Sequence, residues 1–115
     1  KRALIVDIRP APAGKPSPFG TAHIPGAQSV PYSKWRGPAS NPGALPDAAA
    51  LQALIRSLGI DAATPVVVVA EGKDNTEFGA AARVYWTLKA AGLTRLSILN
   101  GGMQAWRAAG APVTA

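Results

Sequence analysis

The residue pattern of this chain predicts a single α/β domain, a central parallel sheet flanked by helices, on three observations. Short apolar runs suited to strands alternate with stretches whose apolar residues recur at helical spacing, and no internal repeat interrupts the series. One run, Val66-Val67-Val68-Val69 after Pro65, is wholly β-branched, as a strand buried on both faces would be. It feeds a loop and then a helix, and open parallel sheets place their chemistry at such junctions, where backbone N–H groups and the helix dipole converge. Right-handed crossovers between the strands are expected.

The first strand is expected in Ala3-Leu4-Ile5-Val6-Asp7-Ile8, broken only by Asp7. Asp7 and Arg9 then sit two apart on one side of the strand end, placed to form a structural ion pair. From Pro10 to Gly20 the chain is too rich in Pro and Gly for helix or central strand, so a surface loop pinned by Phe19 is expected. A turn centred on Pro25-Gly26 leads into a second strand over Gln28–Tyr32. Ser33 to Leu45 reads as another loop, anchored by Trp35.

Asp47 is placed to cap a helix whose core face is Leu51, Leu54, Ile55 and Leu58, with Gly59 as its stop. After the valine strand, Thr76 or a neighbour caps a second helix. Its buried stripe is expected to be Phe78, Ala81, Ala82, Tyr85 and Leu88, with Gly92 closing it. Leu96–Asn100 is the last buried strand, and Gly101-Gly102 allows a tight turn into a short helix carrying Met103 and Trp106. Trp35, Trp86 and Trp106 are expected to act as core or interface anchors.

Composition bounds the function. A chain of 115 residues, 48% hydrophobic and 16% charged, is a globular domain and not a disordered one. The net charge of +6 hints at a polyanion. Its cations are scattered, however, and only Lys34-Trp35-Arg36 puts them beside an aromatic ring, so no nucleic acid partner is expected. The longest apolar run is too short for a bilayer, and no membrane partner is expected either. The absence of Cys removes disulfides, thiolate metal ligands and cysteine nucleophiles together. An opening on Lys1 followed almost at once by a strand suggests a piece of a longer protein.

No cofactor or metal ion is expected. His23 is the single histidine and has no companion ligand or nucleophile, so it reads as a hydrogen-bonded structural residue. Gly101-Gly102 lacks the rest of a nucleotide fingerprint. The loop after the valine strand, Ala70, Glu71, Gly72, Lys73, Asp74, Asn75, Thr76 and Glu77, holds no Cys, Ser or His, and its three acids against one base make it unattractive to an anion. Glu71 or Asp74 as a general acid or base would need a paired partner in an apolar pocket.

The pieces V-D-I-R at Val6–Arg9, A-H-I-P-G-A at Ala22–Ala27, L-G-I at Leu58–Ile60, V-V-V-V at Val66–Val69, A-A-R-V-Y-W at Ala81–Trp86, L-N-G-G-M-Q-A-W at Leu99–Trp106 and G-A-P-V at Gly110–Val113 follow one another in a specific order and spacing. In these pieces the chain resembles a rhodanese, or sulfurtransferase, domain along essentially its whole length. The resemblance implies a three-layer fold with a parallel sheet of about five strands. It makes Asp7, Arg9, His23, Gly26, Arg83, Trp86, Gly101, Gly102 and Trp106 the family-motif structural positions.

In catalytic members a cysteine directly after the central strand carries sulfur as a persulfide, its thiolate stabilised by a ring of backbone N–H groups. Here the matching position is Ala70, so no catalytic residue is expected. The loop departs from the family further, since the positions where an Arg or a cradle of small residues would stand hold Asn75 and Thr76, and Arg83 lies well inside the next helix. The chain looks most like the N-terminal, non-catalytic half of tandem-domain thiosulfate or 3-mercaptopyruvate sulfurtransferases. A second rhodanese domain of the same polypeptide is the implied partner. A free-standing module of this fold that binds a protein or a small anion is the other reading.

Overall fold

Four strands, β1 (Leu4–Asp7), β2 (Gln28–Ser29), β3 (Val66–Val69) and β4 (Leu96–Ile98), form one parallel sheet in the order β2-β1-β3-β4. The structure is a computed structural model that describes residues 3–10, 14, 17–35, 48–61, 63–72 and 75–115, with backbone alone at 48 and 75–77. The register sets Leu4 against Val66 and Asp7 against Val69, and Val66 against Leu96 on the other side of β3. Of the expected positions, Asp47, Lys73 and Asp74, and the side chains of Asn75, Thr76 and Glu77, lie outside the described residues, as does most of the loop to Leu45.

The helices are α1 (Pro18–Thr21), α2 (Ala48–Ser57), α3 (Asn75–Ala90) and α4 (Gly102–Ala108), with a 3-10 turn at Tyr32–Trp35. Strand alternation sorts them into layers. Val6, Val66 and Val68 point into one cluster with Leu51 of α2, Ala81, Val84 and Leu88 of α3, and Trp35. Ile5, Val67 and Val69 point the other way, toward Ile24, Phe19, Met103 and Trp106 of the α1 and α4 side. The valine strand is therefore covered on both faces, as its composition requires.

Three helices close in the same way. The amide of Ile60 donates to Ile55 O and that of Gly59 to Arg56 O; Leu93 with Gly92 and Ala111 with Gly110 repeat the pair after α3 and α4. This double bond is the Schellman closure, which satisfies carbonyls that the helix end leaves open.

Of the about five strands that the resemblance implies, the described residues hold four. Beyond them the described residues hold an antiparallel bridge, His23 to Thr114, and two residues along on that pairing Pro25 and Pro112 supply no N–H to extend it on that side. Three other expectations are corrected. The predicted strand over Gln28–Tyr32 shrinks to two residues, although Val30 and Tyr32 still donate to Asp7 O and Ile8 O before the chain turns into the 3-10 helix. The segment predicted as loop ends in α1, where Pro18 occupies the first turn and Ser17 Oγ accepts from the Gly20 amide at 3.3 Å. On α3 the core-facing residues are Ala81, Val84, Thr87 and Leu88, whereas Phe78 is 59% exposed and Trp86 51%.

Candidate functional site

The order β2-β1-β3-β4 makes the chain leave β1 and β3 toward opposite edges, so the cleft beyond their C-terminal ends is the switch point of the sheet. Two loops meet there, one after Asp7 and one after Val69, joined by the Ile8 amide donating to Val69 O at 2.9 Å.

Asp7 and Arg9 form the buried pair that their spacing predicts, with exposures of 1% and 4%. Arg9 Nη2 donates to Asp7 Oδ2 at 2.8 Å and Nε to Oδ1 at 3.0 Å, and the Arg9 backbone amide adds a third contact to Oδ1 at 3.1 Å. Nη2 also donates to Ala22 O at 2.7 Å, which ties the segment after α1 to the end of β1. Nη1 turns to Glu71 Oε1 at 3.4 Å. Burial works against the Arg9 charge, but the hydrogen bonds and attraction of Asp7, and then of Glu71, outweigh it and raise the pKa above its usual value. The other Glu71 oxygen accepts from Arg107 Nη2 on α4. Four charged groups from β1, the β3 loop and α4 thus form one chain of contacts.

The loop backbone is equally fixed. Ala70 O accepts from the Met103 amide at 2.9 Å, and Glu71 O accepts from the Gln104 amide at 2.9 Å. The first amides of α4, which a helix N-terminus leaves open to an anion, are consumed by the loop carbonyls. This needs backbone against backbone. A Cβ at Gly72 (φ +85°) would stand 2.0 Å from Gly101 O, and one at Gly102 (φ +57°) 2.4 Å from Ala70 O, so both positions require glycine. Gly101, also at positive φ, begins α4 without a side-chain cap.

The structure brings together Asp7, Arg9, Ala70, Glu71, Gly72, Gly101 and Gly102. It leaves the other positions elsewhere. His23 Nδ1 bonds Phe19 O at 2.8 Å, its ring stacked on Phe19 at 3.8 Å. Gly26 sits in the turn at φ +83°. Arg83 lies over the Trp86 ring at 5.3 Å, and Trp86 faces outward on α3 instead of anchoring the core. Trp106 Nε1 donates to Pro112 O at 2.7 Å.

Two participants escaped the sequence reading, the Ala22 carbonyl and Arg107. Arg107 is one turn past Gly102 on a short helix, and only the adjacency of β3 and β4 shows that it reaches back to Glu71. Of the three loop acids only Glu71 has a described side chain, and it is flanked by two guanidinium groups. Ala70 itself is buried, its side chain within the α2–α3 core cluster. Among the described residues no group of three or more His, Cys, Asp or Glu could hold a metal ion. No described helix is long and apolar enough to cross a membrane.

The site thus sets a paired Asp and Arg at the end of β1 beside a valine strand that opens into a glycine-locked loop, in a parallel sheet between helices. The description of the rhodanese-like domain matches residues 1–109, and the chain belongs to that family. It is 39% identical over 93 residues to the thiosulfate sulfurtransferase of Bos taurus, covering 80% of this chain and 31% of that one. To the thiosulfate sulfurtransferase of Gallus gallus it is 36% identical over 100 residues, covering 84% and 33%.

Among solved structures, YnjE matches 99% of this chain and 25% of its own at a TM-score of 0.80 and 25% identity. SseA from Escherichia coli, described as showing the fold and mechanism of 3-mercaptopyruvate sulfotransferases, matches 87% of this chain and 34% of its own at 0.62 and 26% identity. The chain spans about a quarter to a third of the length of the curated relatives it matches.

Proposed function

We propose that this domain is the supporting, cysteine-free half of a sulfurtransferase of the thiosulfate or 3-mercaptopyruvate type, with a second rhodanese domain of the same polypeptide supplying the persulfide-forming cysteine. The observation that carries the reading is Ala70. It stands directly after β3, where the family places its nucleophile, and its methyl group is packed into the core. A methyl group cannot accept sulfur. The loop around it supports the same reading, because its first two carbonyls are bound to α4 and its first acid is clamped by Arg9 and Arg107. Relatives of whose length the match covers only about a quarter to a third leave room for a second domain in the parent protein.

The role is then architectural: the domain forms one wall of a cleft whose chemistry is done by the other half. The test is a sulfurtransferase assay, with thiosulfate and then mercaptopyruvate as donor, on this chain and on the full-length gene product. Transfer by the longer protein alone is the expected result. Turnover by this chain would sink the reading, and silence in both would favour a binding module of the same fold.

A further inference from the structure

Glu71 meets Arg9 with one carboxylate oxygen and Arg107 with the other. The two cations come from distant parts of the chain, Arg9 from the end of β1 and Arg107 from the last turn of α4. Arg9 is held in place without Glu71, since its Nε and Nη2 are taken by Asp7 and the Ala22 carbonyl, and only Nη1 is aimed at the loop. Glu71 is 20% exposed and Arg107 43%, so the carboxylate lies at the mouth of the cleft, within reach of solvent.

Two guanidinium groups converge on one point, Arg9 fixed by Asp7 and the Ala22 carbonyl and Arg107 reaching in from the surface of α4. They offer donors to any small oxyanion, and the end of β1 beside β3 is where a parallel sheet admits a ligand. The geometry points to an anion site, formed by Arg9 Nη1 and Arg107 Nη2, that the protein fills with its own Glu71 carboxylate. Its ligand class, once that carboxylate is withdrawn, is a small oxyanion of sulfur or phosphorus. In the native loop the Glu71 carboxylate thus occupies the place a sulfate or thiosulfate would take. This inference stands apart from the supporting-domain reading, since anion binding at Arg9 and Arg107 needs neither a second domain nor sulfur transfer.

Glu71→Ala opens the site. The variant and the wild-type chain are titrated calorimetrically with sodium sulfate, sodium thiosulfate and sodium phosphate at constant ionic strength. The expected result is saturable binding by the variant at least tenfold tighter than by wild type, lost again in Glu71→Ala/Arg107→Ala. An unresponsive single variant, a wild type that binds equally well, or a double variant that keeps the affinity overturns the inference. Should the alanine variant not fold, Glu71→Gln keeps the length of the side chain without its charge. The Arg107 Nε–H resonance is then expected to shift saturably with sulfate in the glutamine variant and not in wild type, and an unmoved resonance also overturns it.

Discussion

Arg9 keeps its charge where solvent hardly reaches, and it does so because Asp7 takes up one edge of the guanidinium and the Ala22 carbonyl another. Removing one partner of such a pair leaves the other charge buried and unanswered, so Arg9→Met is expected to cost about 3–5 kcal/mol, read as a lower urea midpoint at unchanged slope. A raised guanidinium pKa stabilises the fold at every pH below the unfolded value and loses its effect only as pH rises through the still higher folded one. The Asp7–Arg9 contact should therefore stay constant across neutral pH. At this scale the sequence was legible where chemistry is local. Two opposite charges two apart at a strand end predict their own pairing. Glu71 was not legible in this way, because its partners lie 62 and 36 residues away and an isolated acid in a loop reads as solvated.

At the scale of the element, α3 shows how a periodic pattern can be read one notch out of phase. Weighting the large apolar side chains puts Phe78 and Tyr85 in the buried stripe, whereas the face that meets the sheet is Ala81, Val84 and Leu88, with Phe78 and Trp86 outside. The side chains of α3 buried deepest are mostly compact ones. Leu88→Ala is accordingly expected to cost about 2–5 kcal/mol and Trp86→Ala less than about 1 kcal/mol, compared side by side by chemical denaturation. The junction of β3 and α4 gives a sharper test. Gly102→Ala would drive a Cβ against Ala70 O and the Gly72 amide at positive φ. It is expected to destabilise by about 2–4 kcal/mol, combining left-handed strain with backbone overpacking. The two adjacent glycines signal a tight turn from sequence alone. That they interlock with Gly72 depends on which strands are neighbours, which local patterning does not encode.

For the whole molecule, the alternation of strand and helix was enough to predict a parallel sheet covered on both faces, and the structure has that form. The number of strands rested on family likeness, and the described residues hold four together with the His23–Thr114 bridge. The placement of the site followed from topology: β1 and β3 are adjacent in the sheet but far apart in the chain, and their loops converge. If the supporting role is right, Ala70→Cys in this chain should still show no sulfur transfer in the thiosulfate–cyanide assay, since the new thiol would sit in the core cluster with Glu71 and its arginines beside it. Appearance of turnover would show that the missing atom alone silences the domain.

The bonds from Met103 and Gln104 to the carbonyls of Ala70 and Glu71 have a kinetic corollary. Amides at a helix start ordinarily exchange with solvent deuterium quickly, yet these two can exchange only when the β3 loop lets go. Their protection factors should match each other and exceed those at the start of α1. Together they would clock how often the loop departs from the sheet.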